Sequence, residues 1–255
     1  DIGRKIKERR RNDREDPAEC VTVWKYRELL PVKKDTCVIS LGEGGTPLQR
    51  CNRLSEEIGL KEVYAKNETK NPTWSFKDRV FSVVISKAVE LGINGVVMAS
   101  SGNAAASAST YTAKAGLTCV ILVPAVASLE KIAHMMMCGA HVIRVKGDLT
   151  IIGALAIEVS KRYGLMQLTT VKALNPYQSE GPKTIAFEIC EQLEWSTPDI
   201  VIVPVGSGDN IGSIWKGFKE FKEIGLIDDL PRMIGVQAEG ADPFVKAVEE
   251  NKEFY

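Results

Sequence analysis

The chain has 255 residues, 44% of them hydrophobic, which is enough for one large core or two modest ones, and the length favours two. Its 33 lysines and arginines balance 33 aspartates and glutamates, so no overall electric field attracts nucleic acid or an anionic membrane. The longest apolar runs, 119–124 and 200–205, are far shorter than the roughly 18 residues that a membrane span needs. A small-molecule partner is therefore favoured.

The cysteines and histidines narrow the chemistry further. Six cysteines are scattered without a C-x-x-C pair, which is typical of reduced thiols in a cytoplasmic protein. The chain has only two histidines, His134 and His141, which disfavours a histidine-based catalytic triad and a metal site with several histidine ligands. The chain begins at Asp1 without a methionine and ends at Tyr255 inside a predicted helix, which suggests a fragment that lacks part of its site.

The first 60 residues differ in character from the rest. Residues 1–16 are dominated by charge and are predicted to form a solvated arm or a helix that packs on a partner. The glycine-rich segment 40–48 does not lie between a strand and a helix with the spacing of a dinucleotide fingerprint. No Rossmann cofactor is predicted there.

From residue 63 onward, short β-branched runs alternate with helical patterns. This alternation indicates an α/β fold built from parallel sheets with helices on both faces. Ser75 and Asp78 are a candidate capping box for a helix over 75–91, and Asp242 and Pro243 open the last helix. The predicted strands are 63–65, 95–99, 118–123, 141–145, 167–170, 199–205 and 233–238. The predicted helix ends are Gly92, Gly116, Gly139 and Gly164.

The first candidate for chemistry is the segment 71–79. A proline-containing turn leads directly into a helix and places Lys77 in its first turn. The positive end of the helix dipole disfavours an ammonium and lowers the pKa of the lysine, which helps the amine attack an aldehyde and later accept a proton. An ordinary exposed lysine beside an acid is the alternative, so this segment needs support from other sites.

The second candidate, Ser100-Ser101-Gly102-Asn103, follows the strand that ends at Ala99 and precedes a helix of small residues that begins at Ala104. Free backbone N–H groups at such a junction can bind the carboxylate of an amino acid, and Asn103 can hydrogen-bond a phenolic oxygen together with the substrate. Ordinary tight packing of small side chains is the alternative.

The third candidate, Gly206-Ser207-Gly208-Asp209-Asn210, follows the most apolar strand and precedes a helix predicted from Ile211. Glycines, a strand end and a helix N-terminus in this order form a phosphate cradle, for a monophosphate rather than a dinucleotide, with a plain turn as the alternative. Together the three candidates supply an amine for an aldehyde, a nest for a carboxylate and a cradle for a phosphate. Pyridoxal 5'-phosphate has an aldehyde and a phosphate, and an amino-acid substrate has a carboxylate, so the three candidates together match this cofactor and substrate.

Several segments also resemble the threonine synthase family in order and spacing, from about Glu28 to the end of the chain. They are 41–48, 71–79, 101–103, 175–189, 204–217 and 225–236. The resemblance implies the fold of type II pyridoxal-phosphate enzymes with the C-terminal part missing. It also implies that Lys77 is the Schiff-base lysine, that Asn103 contacts the cofactor ring oxygen and that residues 206–210 hold its phosphate.

The resemblance also bears on domains and assembly. We predict a larger cofactor domain formed by residues 1–84 and 176–255 and a smaller mobile domain formed by residues 85–175. The family resemblance and the charged N-terminal arm make a homodimer the expected assembly.

The chain departs from the family on the substrate side. Where family members acting on O-phosphohomoserine have a serine and an arginine that grip the substrate phosphate, this chain has Ala173 and Gln178, and Lys172 can restore one charge only as a point charge. Trp74 replaces a glycine, and Asp209 adds a carboxylate to a phosphate cradle that survives if this carboxylate points outwards. The expected substrate-binding residues are Ser100, Ser101, Gly102, Asn103, Ala104, Lys172 and Gln178.

These departures leave several functions open. The first is a threonine synthase-like lyase that converts O-phosphohomoserine and water into threonine and phosphate. The alternatives are a threonine or serine dehydratase or ammonia-lyase, a β-replacing enzyme similar to cysteine or cysteate synthase, and a non-catalytic homologue that only binds the cofactor.

Overall fold

The computed structural model describes residues 2–13, 22–169 and 175–252. Within these ranges, every helix is too short or too polar to cross a membrane. The elements follow in the order α1 (Ile2–Asp13), β1 (Leu48–Arg50), α2 (Asn52–Ile58), β2 (Tyr64–Lys66), α3 (Lys77–Glu90), β3 (Gly95–Ala99), α4 (Asn103–Ala115), β4 (Thr118–Pro124), α5 (Leu129–Met137), β5 (His141–Val145), α6 (Leu149–Tyr163), β6 (Met166–Leu168), α7 (Thr184–Gln192), β7 (Ile200–Pro204), α8 (Asp209–Glu223), β8 (Arg232–Val236) and α9 (Pro243–Glu249). Short 3-10 helices occur at Val23–Leu29, Asp35–Cys37, Glu68–Lys70 and Pro176–Ser179.

The central chain segment forms a four-stranded parallel sheet in the order β5-β4-β3-β6. Successive side chains of a strand point to opposite faces, and the two faces have different cores. Val96 and Met98 of β3 pack in one core with apolar residues of α3, α4 and α5, whereas Val97 packs on the other face with Ile152 of α6. The predicted parallel sheet with helices on both faces is therefore confirmed.

A second core surrounds the parallel pair β7–β8. Phe187 of α7 and Phe221 of α8 are stacked with their ring centroids 4.1 Å apart, and Tyr26 meets Phe187 edge-on at 5.1 Å. Ile6 of α1 is fully buried in the same core. The expectation of a solvated arm is therefore wrong, because α1 covers apolar surface of its own chain, and the packing of this helix on a partner stays a prediction.

The first predicted strand pairs differently from the expected parallel arrangement. Strand β2 pairs antiparallel with β1, which the sequence patterns did not reveal, and Leu48 lies opposite Lys66. Both strands have three residues and are partly exposed. A parallel sheet is normally buried on both faces, whereas an antiparallel pair tolerates such exposure. The alternation from residue 63 therefore predicts the parallel sheets only from β3 onward.

Candidate active site

Lys77 lies in the first turn of α3, as predicted, although α3 begins at Lys77 and not at residue 75. It follows a turn in which the Trp74 N–H donates to the Asn71 carbonyl at 2.8 Å. Its Nζ atom lies 4.5 Å from the centroid of the Phe76 ring. Burial lowers the pKa of Lys77, and the carboxylate of Asp209 partly offsets this effect. The pKa shift has the predicted direction, but its main cause is burial, whereas the sequence analysis invoked the helix dipole.

The predicted capping box at the start of α3 is wrong in its acidic partner. The Lys77 N–H donates to Ser75 Oγ at 3.2 Å, as a capping serine permits. The Asp78 carboxylate instead accepts hydrogen bonds from the N–H and hydroxyl of Thr73 and from the hydroxyl of Ser107, each at 2.6 Å. Because Ser107 belongs to α4, Asp78 joins the start of α3 to the first turns of α4.

The junction between β3 and α4 contains the second candidate. The Gly102 N–H donates to Ser100 Oγ at 3.3 Å, and α4 begins at Asn103. Gly102 and Asn103 are exposed, whereas Ala104 is buried in the core. The bond between Asp78 and Ser107 lies one helical turn beyond Asn103 and holds this junction beside the start of α3.

The loop after β7 contains the third candidate. Helix α8 begins at Asp209, two residues before the predicted start, so Asp209 and Asn210 belong to its first turn. The Ser207 hydroxyl donates to Asp209 Oδ2 at 2.7 Å. The Asp209 carboxylate therefore turns towards the loop and does not point outwards.

Gln178 connects the expected substrate side to this loop. It lies in the 3-10 helix Pro176–Ser179, is 4% exposed, and donates from Nε2 to Asp209 Oδ1 at 3.0 Å. Lys172 and Ala173 lie outside the described residues. The Asp209 carboxylate thus accepts from Gln178 and Ser207, and its charge acts on Lys77.

The residues that are present fit the groups of pyridoxal phosphate. Lys77 offers an amine whose pKa is lowered by burial, which is what attack on an aldehyde requires. The loop 206–210 offers the N-terminus of α8 to a phosphate, and the Ser207 hydroxyl if its bond to Asp209 is released. Among the described residues, Asn210 Oδ1 is a buried side-chain oxygen without a hydrogen-bond partner. This oxygen only accepts and needs a donor, whereas the Nδ2 group of the same amide is the part that can donate to a phosphate oxygen.

Sequence reasoning missed a buried network of charges directly behind Lys77. Arg79 is fully buried and donates to Glu68 Oε2 at 2.7 Å and to Glu188 Oε1 at 2.5 Å. Lys66 Nζ adds a second cation, 2.6 Å from Glu188 Oε2. Arg79 and Glu188 both lie in segments that resemble the family, but the spacing of the sequence gives no sign that they meet.

The same network anchors the glycine-rich segment. The Gly45 N–H donates to Glu188 Oε1 at 2.9 Å, and the Gly44 N–H donates to Asn71 Oδ1 at 3.0 Å. Gly44 has a φ of +95°, and a Cβ atom there would lie 2.7 Å from the backbone nitrogen of Val23. The segment therefore fixes the turn that precedes Lys77.

We expect this network to make stability depend on pH through Glu188. Burial opposes ionisation of this carboxyl, but Arg79 and Lys66 outweigh burial and lower its pKa from 4.5 to about 2. A depressed pKa in the folded state contributes stability above the unfolded value, and this contribution is lost as pH falls from 4.5 towards 2. In urea unfolding, Glu188→Gln should be less stable than the wild type at pH 7, and the difference should shrink towards pH 2.

Glu62→Gln is the matched control, because Glu62 forms an exposed ion pair with Arg50 at 3.1 Å. It should change the free energy of unfolding by less than about 1 kcal/mol at every pH. A difference for Glu188→Gln that stays constant from neutral to acid pH would contradict this role of the Glu188 charge.

Comparisons with known proteins agree with this geometry. Residues 39–255 match the model of a family described as pyridoxal-phosphate dependent enzyme. The threonine synthase of Methanocaldococcus jannaschii is 50% identical over 229 residues, which cover 89% of this chain and 56% of that protein. The threonine synthase of Halalkalibacterium halodurans is 42% identical over 222 residues, covering 87% of this chain and 61% of that protein. The chain thus spans little more than half the length of these relatives.

Solved structures show the same fold. The processed form of threonine deaminase isoform 2 from Solanum lycopersicum superposes with a TM-score of 0.70 at 26% identity, covering 81% of this chain and 54% of that one. A fungal L-serine ammonia-lyase from Rhizomucor miehei gives a TM-score of 0.72 at 24% identity, covering 82% and 64%. The predicted fold of type II pyridoxal-phosphate enzymes and the resemblance to threonine synthases are therefore confirmed. The chain belongs to the family of pyridoxal-phosphate-dependent enzymes.

Proposed function

We propose that this chain catalyses a pyridoxal-phosphate-dependent elimination and replacement on an amino acid, of the threonine synthase type. The reaction would convert O-phosphohomoserine and water into threonine and phosphate. The observation that carries this proposal is the partly buried Lys77 at the start of α3, whose pKa is lowered by burial and acted on by the charge of Asp209 in the loop 206–210. The identity of 50% to an archaeal threonine synthase supports the same reaction.

Each candidate residue has a role in this proposal. Bound pyridoxal phosphate supplies an electron sink for the carbanion formed at the substrate Cα. Lys77 holds the cofactor through its amine and then moves the Cα proton, because its lowered pKa keeps part of the amine neutral. Asn103 contacts the cofactor ring oxygen. The cofactor phosphate is held by Gly206, Ser207, Gly208, Asp209 and Asn210, with Asp209 contributing its backbone N–H at the start of α8. The substrate is held by Ser100, Ser101, Gly102, Asn103, Ala104, Lys172 and Gln178.

One observation favours a second candidate function. Gln178 replaces the arginine that grips a substrate phosphate in the resembling family, and its amide already donates to Asp209 at 3.0 Å. A neutral amide bonded to a carboxylate suits an uncharged hydroxyl better than a phosphate. Dehydration or deamination of threonine or serine is therefore the alternative, and the likeness to a threonine deaminase and a serine ammonia-lyase agrees with it.

We also propose a division into domains, an assembly and a location. The two parallel sheets support a larger domain of residues 1–84 and 176–255 and a smaller one of residues 85–175, and α3 joins them, because its residues Val80, Phe81 and Val84 pack in the core of the four-stranded sheet. The proposed homodimer depends on the family resemblance, because α1 packs on its own chain. The scattered cysteines support a cytoplasmic location.

The proposed reaction is tested by substrate choice. The full-length protein, loaded with cofactor, is incubated separately with O-phosphohomoserine, threonine, serine and O-phosphoserine, and released phosphate and 2-keto acid are assayed. We expect phosphate and threonine from O-phosphohomoserine. Keto acid from threonine or serine, without phosphate release from O-phosphohomoserine, would establish the alternative and overturn the synthase proposal.

A further inference from the structure

We propose that Asp209 competes with the cofactor phosphate, because its carboxylate accepts the hydroxyl hydrogen bond of Ser207 in the loop and that of the neighbouring Gln178 amide. This inference depends on the proposed cofactor site, and it identifies Asp209 as the residue that sets how strongly this chain recognises the phosphate group. It concerns the free energy of cofactor binding and is independent of which amino acid is the substrate.

The first step of the argument is hydrogen bonding. Ser207 Oγ donates to Asp209 Oδ2 at 2.7 Å, and Gln178 Nε2 donates to Asp209 Oδ1 at 3.0 Å. Both carboxylate oxygens are therefore held by side-chain donors that converge at the N-terminus of α8. A phosphate that enters the loop must take the Ser207 hydroxyl from Asp209 or bind without it.

The second step is charge. A phosphate monoester carries up to two negative charges near pH 7, and Asp209 adds a third within the first turn of the same helix. Placing like charges together weakens binding. The positive end of the α8 dipole thus stabilises the Asp209 carboxylate, and the same positive end would have to stabilise the cofactor phosphate as well.

The third step is the shape of the loop. Gly208 has a φ of +86°, and a Cβ atom there would lie 2.8 Å from the ring of Phe244 in α9. The backbone next to Asp209 is therefore closely packed and in a conformation that favours glycine. When a phosphate binds, we expect the Asp209 side chain to rotate away from the Ser207 hydroxyl. The backbone of the loop should keep its conformation.

Asp209→Asn tests this inference, because it removes the charge and nearly preserves the shape. The full-length apoprotein is titrated with pyridoxal 5'-phosphate and with pyridoxal, which lacks the phosphate, and the ratio of the two dissociation constants measures phosphate recognition. Any effect of Asp209 on the Lys77 amine applies to both ligands and cancels in the ratio. We expect the preference for pyridoxal 5'-phosphate over pyridoxal to rise about tenfold or more in Asp209→Asn.

Two further variants complete the experiment. Glu223→Gln removes one negative charge from the exposed far end of α8, and its ratio should equal that of the wild type within about twofold. Asp209→Ser provides a second loss of the carboxylate if Asp209→Asn folds poorly, and it should raise the ratio in the same direction.

The outcomes separate this inference from the proposed function. Binding of pyridoxal 5'-phosphate with an unchanged or lower ratio in the Asp209 variants would overturn the inference and leave the proposed function standing. Failure of wild type and variants alike to bind pyridoxal 5'-phosphate would overturn the proposed function and the inference with it.

Discussion

Replacing Lys77 with alanine is expected to lower kcat for the amino-acid reaction by about 10³-fold, the effect of losing a positioned acid–base group. The amine of Lys77 is the proposed attachment point of the cofactor and the proposed carrier of the Cα proton. Partial burial lowers its pKa, so a larger fraction of this amine is neutral than of an exposed lysine, and only the neutral amine can accept a proton. The measurement is steady-state turnover of the cofactor-loaded protein with the substrate that the wild type uses.

Lys70→Ala is the matched control for this experiment. Lys70 is exposed and lies in the 3-10 helix Glu68–Lys70, seven positions before Lys77. Its replacement should change kcat by less than about twofold. Turnover of Lys77→Ala within about tenfold of the wild type would remove Lys77 from the proposed chemistry.

The second large effect concerns stability. Arg79→Met is expected to lower the free energy of unfolding by about 3–5 kcal/mol, because it leaves the buried Glu188 without its main cation. Arg79 is fully buried, and burial opposes its charge, but Glu188 and Glu68 outweigh burial and raise its pKa. For a chain of this size the midpoint of thermal unfolding should fall by about 6–20 °C.

Arg50→Met provides the comparison, because Arg50 pairs with Glu62 at 3.1 Å in an exposed position. An exposed pair contributes at most about 1 kcal/mol. Chemical denaturation of both variants gives the two free energies under the same conditions. A loss for Arg79→Met no larger than that for Arg50→Met would mean that solvent or other donors satisfy Glu188.

The strands and helix ends of the four-stranded sheet are well predicted from the sequence, whereas α3 and α8, which begin at the candidate site, each start two residues from the predicted position. Strands β3 and β5 have the predicted bounds, since β-branched residues between turn signals indicate a buried strand directly. Gly116 and Gly164 end α4 and α6 in the left-handed conformation, which glycine adopts without a steric penalty. Lys77 lies in the first turn of α3 as predicted, because a proline-containing turn precedes it.

The contacts behind the site could not be predicted in the same way. Arg79 and Glu188 are 109 positions apart, and local patterns carry no information about which distant charges meet. The antiparallel pair β1–β2 consists of short, partly exposed strands without a clear hydrophobic period. The orientation of Asp209 is decided by Ser207 and by Gln178, which is 31 positions away, and only the folded structure brings Gln178 to the loop.

The central claim is that Lys77 binds the cofactor, and covalent trapping tests it most directly. The full-length protein is loaded with pyridoxal 5'-phosphate, reduced with borohydride, digested and examined by peptide mass spectrometry. We expect one dominant pyridoxyl-modified peptide, with the modification on Lys77. Lys66 is the informative rival, because burial lowers its pKa as well and it lies in the network behind the site. A dominant modification on Lys66 or another lysine, with Lys77 unmodified, would contradict the claim.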